Sequence, residues 1–230
     1  MVIGIIGAMN EETEKLIDKM TVLRKMSKAS MTFNFGMLDN KEVVVVTCGI
    51  GKVNAAICAQ ILVDDFHVDY VINVGIAGGL KEEIYPGDIV IASSLIYHDF
   101  DATFFDYKLG QVPRLDVFDF KCDNTLFKYA KESANNLKTH NVYEGSIVSG
   151  DQFISSKEKL MWLSKEFNAY ACEMEGASIA HVCHLNKVPF IVIRSISDNA
   201  INGTHSDYET FKYIAVDNSL LIIHNMLKAM

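Results

Sequence analysis

Residues 2–20 read VIGIIGAMNEETEKLIDKM, and this stretch decides the fold. Val2 to Ile6 is an unbroken apolar run, the mark of a strand covered on both faces. Gly7-Ala8-Met9 is a turn. Asn10 is placed to cap a helix that runs to about Met20, with acidic Glu11, Glu12 and Glu14 at its positive end. A buried strand passing directly into a helix is the opening unit of an α/β protein.

The same alternation continues outward. Met31 to Leu38 and Glu42 to Cys48 read as strands joined by a turn at Asp39-Asn40. Gly51 to Asp64 has apolar residues at helical spacing (Val53, Ile57, Ile61, Leu62). Tyr70 to Val74 is a short apolar strand leading into a glycine-rich loop, Gly75 to Gly79. Asp88 to Tyr97 is a further strand, and His98 to Asp119 reads as a long aromatic loop. Asp123 to Asn135 is helical and Val142 to Val148 is a strand. Ser155 and Glu158 fit a capping box. Tyr170 to Cys172 is a short strand or turn, followed by a helix from Met174 to His184. Val188 to Arg194 is an apolar strand. Ser206 and Glu209 fit a second capping box, opening a final helix to Leu227. Three prolines, no Gly/Ser-rich linker and no repeat argue for a single domain over residues 1–230. The expected architecture is α/β, with a central mixed, largely parallel sheet flanked by helices.

Composition excludes several functions. The formal net charge is -8 and the sequence pI is about 5.3, which disfavours nucleic acid as a partner. No apolar run reaches membrane-spanning length, and Val2 to Met9 reads as a core strand rather than a leader. Five cysteines at irregular spacing, mostly in apolar runs, read as free thiols in a reducing, cytoplasmic compartment. Gly49-Ile50-Gly51-Lys52 has Val53 where a phosphate loop needs Ser or Thr. Gly75 to Gly79 lacks the dinucleotide fingerprint, which argues against an oxidoreductase. His181 and His184 share a helix without HExxH or a third ligand, so they read as packed histidines and not a metal site. His98, Asp99 and Asp101 read as a hydrogen-bonded loop. Phe100, Phe104, Phe105 and Tyr107 are either core beneath a loop or a contact surface.

In sheets of this kind ligands bind at the carboxyl ends of the strands. Glu12, Gly75 to Gly79, Ser149 to Ile154, Glu173-Met174-Glu175 and Ser195 to Asp198 all follow strands. Each has a structural explanation of its own: Glu12, Glu173 and Glu175 could serve helix starts, and Asp198-Asn199 could be a turn. One of Glu173 and Glu175 is expected to point inward, where an unpartnered carboxylate is costly.

At these positions the chain resembles the bacterial 5′-methylthioadenosine/S-adenosylhomocysteine nucleosidases of the nucleoside phosphorylase superfamily. The resemblance covers essentially the whole chain. It is carried by IGIIGAMNEE (3–12), GIGKVNAA (49–56), GIAGGL (75–80), YHDFDAT (97–103), VSGDQFI (148–154), EMEGASIAHVCH (173–184) and RSISDNA (194–200). It implies hydrolysis of the N-glycosidic bond of methylthioadenosine and S-adenosylhomocysteine, with 5′-deoxyadenosine as a further substrate. That chemistry serves methionine salvage and uses no metal or organic cofactor. Glu12 resembles the base that activates water and Asp198 the acid that protonates adenine N7. Glu175 resembles the holder of the ribose hydroxyls, beside Met174. Phe153 and Ile154 match adenine-contacting positions; Ala8, Met9, Ile50, Gly78, Glu173 and Ser197 match the rest of the substrate pocket. The resemblance also implies a homodimer in which Phe105, Tyr107 and Pro113 close the 5′ pocket of the neighbouring subunit. Ile76 stands where many members carry Ser, and Asn10 where Glu is common.

The chemistry needs such a pair. Adenine leaves well only when protonated, which asks for an acid, and water attacking the sugar asks for a base. A purine nucleoside phosphorylase would need cationic donors for phosphate. The chain has only Arg24, Arg114 and Arg194, none within Gly75 to Gly79. A related aminodeoxyfutalosine nucleosidase would fit the same residues. A nucleoside-binding protein that keeps the fold without catalysis would not need both Glu12 and Asp198.

Overall fold

The computed structural model describes the chain except residues 136, 138, 139, 200 and 203–207 and the side chains of 208–212 and 215. The strands are β1 (Val2–Gly7), β2 (Thr21–Lys28), β3 (Met31–Leu38), β4 (Lys41–Thr47), β5 (Tyr70–Gly79), β6 (Ile89–Tyr97), β7 (Phe120–Lys121), β8 (Val142–Ser149), β9 (Ala169–Glu173) and β10 (Phe190–Asp198). The helices are α1 (Asn10–Lys19), α2 (Lys52–Phe66), α3 (Asn124–Ala134), α4 (Lys157–Phe167), α5 (Gly176–Asn186) and α6 (Tyr208–Ala229).

One mixed sheet organises them. β1 lies between β4 and β5, parallel to both. β5 is also parallel to β10, and β8 is parallel to β6 and β9. The β2-β3-β4 meander, the β10–β6 and β6–β7 pairs, and the β5–β9 contact are antiparallel. The parallel strands carry the continuous apolar runs: Ile3, Ile5, Val43 to Val46, Val71, Ile72 and Ile191 to Ile193 are fully buried. Helices on both faces account for that pattern.

The sheet closes on itself at one end. β5 pairs with β10, β10 with β6, β6 with β8, β8 with β9, and β9 returns to β5. β5 can do this because it changes neighbour. Residues 70–73 pair with β1, and Gly78 and Gly79 pair on with β9. Between those stretches, no strand among the described residues lies beside the β5 edge facing away from β10. A gap in the wall of the sheet results.

The glycine-rich segment 75–79 is therefore strand and not the expected loop; it runs beside Arg194 to Asp198 of β10, which is longer than its apolar run foretells. Asn10 is the first residue of α1, and Met9 takes the cap position. Glu12 reaches back to the Met9 amide, so the helix start needs no Asn side chain. The cap of α4 is Ser156, one residue beyond Ser155, accepting from the Lys159 amide at 3.3 Å. Ser206 and the Glu209 side chain lie outside the described residues.

β2 and the two-residue β7 escape the sequence reading. β2 is a largely exposed edge strand of mixed composition. Its hairpin turns at Ala29 and Ser30, both left-handed (φ 51 and 61), where Asn-Gly is the usual signal. Replacing them with that pair (A29N/S30G) is expected to raise stability by about 0.5–2 kcal/mol, because αL strain is relieved. The midpoint of chemical unfolding measures this, and an unchanged or lower midpoint would show that the turn carries no such strain.

Candidate active site

Glu12 sits in the first turn of α1, at the gap in the sheet, and is buried. Its Oε2 accepts from the amides of Ala8 (2.6 Å) and Met9 (3.0 Å). Its Oε1 accepts from the amide of Ile76 at 3.0 Å, on the open edge of β5. A Cβ on Gly75 would lie 2.6 Å from Oε1, so the carboxylate rests on a surface that only glycine provides. Burial pushes the Glu12 pKa up, against the opposing pull of Arg194 and the three amides.

Beneath it lies a second carboxylate with a different task. Glu173, ending β9, pairs with the fully buried Arg194 of β10 at 2.5 Å. The same oxygen accepts from the amides of Glu175 (3.1 Å) and Gly176 (2.7 Å), satisfying the start of α5. Its other oxygen accepts from Ser149 Oγ, which in turn takes the Ala177 amide at 2.7 Å. The Arg194 guanidinium also donates to Asn73 Oδ1. Glu173 thus has its carboxylate occupied by protein donors. An arginine inside the apolar run of β10 signalled in the sequence that a buried partner must exist.

Glu175 is the third acid. It stands at the N-cap position of α5 without capping it through its side chain, is buried, and accepts from the Gly51 amide at 2.7 Å. Burial and then the Glu173 charge raise its pKa to about 7, with the Gly51 amide and Arg194 opposing. Asp198 ends β10 beyond a bulge at Ile196 to Asp198. It is buried, and Ser197 Oγ donates to its Oδ1 at 2.6 Å. The following Asn199 is wholly buried and donates to the carbonyls of Lys81 (2.8 Å) and Ile84 (2.9 Å). Asp198-Asn199 is a pinned strand end and not a free turn.

Glu12, in the helix that follows β1, and Asp198, at the end of β10, line one cleft. It holds about 670 Å³ of empty space, open solvent at its mouth included. Ala8, Met9, Ile50, Gly78, Phe153, Ile154, Glu173, Met174, Glu175 and Ser197 line it. Ile76, Ala77, Gln152 and Cys172 line it too. Of these, Cys172 lies in a short stretch that reads as strand or turn, and only the strand pairing turns it to the cleft.

Phe105, Tyr107 and Pro113 are not among the lining residues. Their segment, including a short 3-10 turn at Thr103–Phe105, lies outside this chain's own cleft, so a single chain does not bring them to the site. Within the aromatic loop, Phe104 and Phe105 are exposed while Phe100 packs on the core. His181 stacks on Phe120 at 4.8 Å, and its Nδ1 faces Tyr97 Oη at 3.3 Å.

A mixed α/β sheet with a cleft at its strand ends, walled by buried carboxylates, defines a class of enzymes that act on a small molecule. The chain belongs to the phosphorylase superfamily, whose family model matches residues 2–228, and within it to the 5′-methylthioadenosine/S-adenosylhomocysteine nucleosidases. It is 43% identical over 229 residues to the nucleosidase of that name from Staphylococcus haemolyticus, covering 99% of this chain and 100% of that one. It superposes on the Neisseria meningitidis nucleosidase in complex with methylthio-immucillin-A with a TM-score of 0.94 at 37% identity, covering 100% and 99% of the two chains. It is also similar to the futalosine hydrolase of Helicobacter pylori, with a TM-score of 0.93 at 35% identity, covering 100% and 98%.

Arg194→Met is expected to destabilise the fold by about 3–5 kcal/mol, because it strands the Glu173 charge in the interior. Equilibrium denaturation tests this; a loss under about 1 kcal/mol would mean that Glu173 is neutralised by other means.

Proposed function

We propose that the chain is an N-ribosyl hydrolase that cleaves 5′-methylthioadenosine and S-adenosylhomocysteine to adenine and the 5′-substituted ribose, and that it takes 5′-deoxyadenosine as well. The observation that carries this reading is the sharing of one cleft by Glu12 and Asp198. The named relatives support the substrate class.

In this reading Asp198 donates a proton to adenine N7. The C1′–N9 bond breaks, adenine leaves neutral, and positive charge develops on the ribosyl ring. Water adds to C1′ while Glu12 takes its proton. The raised pKa of Glu12 makes it a stronger base than an exposed glutamate, and three amides hold it in place. Glu175 and Met174 hold the sugar, and Phe153 and Ile154 hold the nucleobase. Ile76 offers no hydroxyl, but its amide orients Glu12.

Phosphorolysis fits less well. Among the described residues no Lys or Arg lines the cleft, and the buried Arg194 is engaged by Glu173 and Asn73. An aminodeoxyfutalosine substrate is the second reading, favoured by the likeness to futalosine hydrolase. Free adenine measured with each nucleoside, with and without phosphate, separates these readings.

The working unit in this proposal is a homodimer. Ile50, Val53, Ile57, Phe104 and Phe105 present exposed apolar surface that a second copy would cover. Phe105, Tyr107 and Pro113 would then close the neighbour's 5′ pocket. The five cysteines are free and buried, which suits a cytoplasmic enzyme of methionine salvage.

Asp198→Asn and Glu12→Gln are each expected to lower turnover by roughly 10²–10⁴-fold while adenine still binds. Near-normal turnover in either variant would remove that residue from its role. The pH profile offers a second check. Glu12 must be ionised to act, and burial raises its pKa. Activity should therefore fall, on acidification, at a pH above the ordinary glutamate value of 4.5. A profile flat down to that value would contradict the assignment.

A further inference from the structure

Helix α2 begins without a cap of its own. Its cap residue is Gly51, which has no side chain, and its first turn holds no acidic residue. The free amides at a helix start need acceptors. Two carboxylates from distant parts of the chain supply them. Glu175 accepts from the Gly51 amide at 2.7 Å, and Asp151 Oδ1 accepts from the Lys52 amide at 2.8 Å.

The Lys52 side chain folds back onto the same point. Its Nζ donates to both oxygens of Asp99, each at 2.7 Å, and lies 3.8 Å from Asp151 Oδ2. Asp99 Oδ2 also accepts from the Asp151 amide at 2.9 Å. Lys52 and Asp99 are only 24% and 18% exposed, so the pair is better shielded than an ordinary surface bridge. Burial by itself would raise the Asp99 pKa, but the Lys52 and Asp151 donors hold it below its ordinary value.

Three segments meet at this latch: the α2 entry at 49–52, the loop after β6 at 98–101, and the segment after β8 at 149–154. The last runs straight from Asp151 into Gln152, Phe153 and Ile154, which line the cleft. The first carries Ile50, also in the cleft wall, and the amide that Glu175 accepts from.

We propose that Lys52, held by Asp99 and Asp151, is a positioning residue that sets substrate affinity by fixing the nucleobase wall and the Gly51 amide on Glu175. This rests on the nucleosidase reading above. Lys52 does not line the cleft and touches no reacting atom. Removing its charge leaves Asp99 and Asp151 facing each other without a counter-ion, so the β8 segment and the α2 entry separate. Walls that serve ground state and transition state alike change KM more than kcat.

The test compares wild type, Lys52→Met and Lys52→Arg. Expected for Lys52→Met is a KM for 5′-methylthioadenosine and a calorimetric Kd for adenine each raised about tenfold, with kcat within about threefold. Lys52→Arg, which can engage both Asp99 oxygens, is expected to restore both to within about threefold. Hydrogen exchange at the amides of 50–55 and 150–155 is expected to quicken in Lys52→Met alone. If Lys52→Met fails to fold, Asp99→Asn takes its place in every arm. Unchanged exchange in both segments overturns the latch whatever the activity of the wild type. Quickened exchange with unchanged KM and Kd, or a loss of kcat at unchanged KM, overturns its positioning role. A wild type that neither binds nor releases adenine ends the nucleosidase reading instead, and the exchange arm still decides the latch.

Discussion

A backbone amide on the open edge of β5 must find an acceptor. Residues 70–73 of that strand have β1 beside them, and Gly78 and Gly79 have β9, but Ile76 falls between. An amide left bare there would cost as much as a lost hydrogen bond. Glu12 answers it, and in doing so is drawn out of the solvent and into the gap. The break in strand pairing that lets the sheet close is therefore also what places a buried carboxylate at its rim.

Gathering acids in one place creates a second constraint. Glu173 and Glu12 lie close enough to raise the proton affinity of Glu175, and Arg194 is the buried cation that opposes this. The three share it unequally. Glu173 takes the direct contact and is occupied in holding the start of α5. Glu12 and Glu175 feel its charge without touching it, and burial keeps both pKa values raised. One carboxylate thus serves as scaffold, which leaves the other two basic and facing the cleft.

Helix starts recur through the site for the same reason. α1, α2 and α5 each begin at the rim, and each presents amides that a carboxylate satisfies: Glu12 at α1, Asp151 and Glu175 at α2, and Glu173 at α5. Acids that could be read as simple helix caps are caps and cleft residues at once. That double role explains why local sequence alone could not choose between the two readings.

The sequence by itself determined the alternation of apolar strands and helices, and hence the α/β class and the rim at which to look. Burial of a continuous apolar run is a local property, visible in Val43 to Val46 or Ile191 to Ile193. The motifs around Glu12, Glu173 to Glu175 and Asp198 were legible as well, since each follows such a run. Tertiary structure alone decided that Gly75 to Gly79 is strand, that Cys172 faces the cleft, and that Glu173 belongs to Arg194. It also decided that β2 pairs at the edge through a turn with no Gly or Asn. Those outcomes depend on which strand lies beside which, and pairing joins residues too far apart in the chain for local pattern to register.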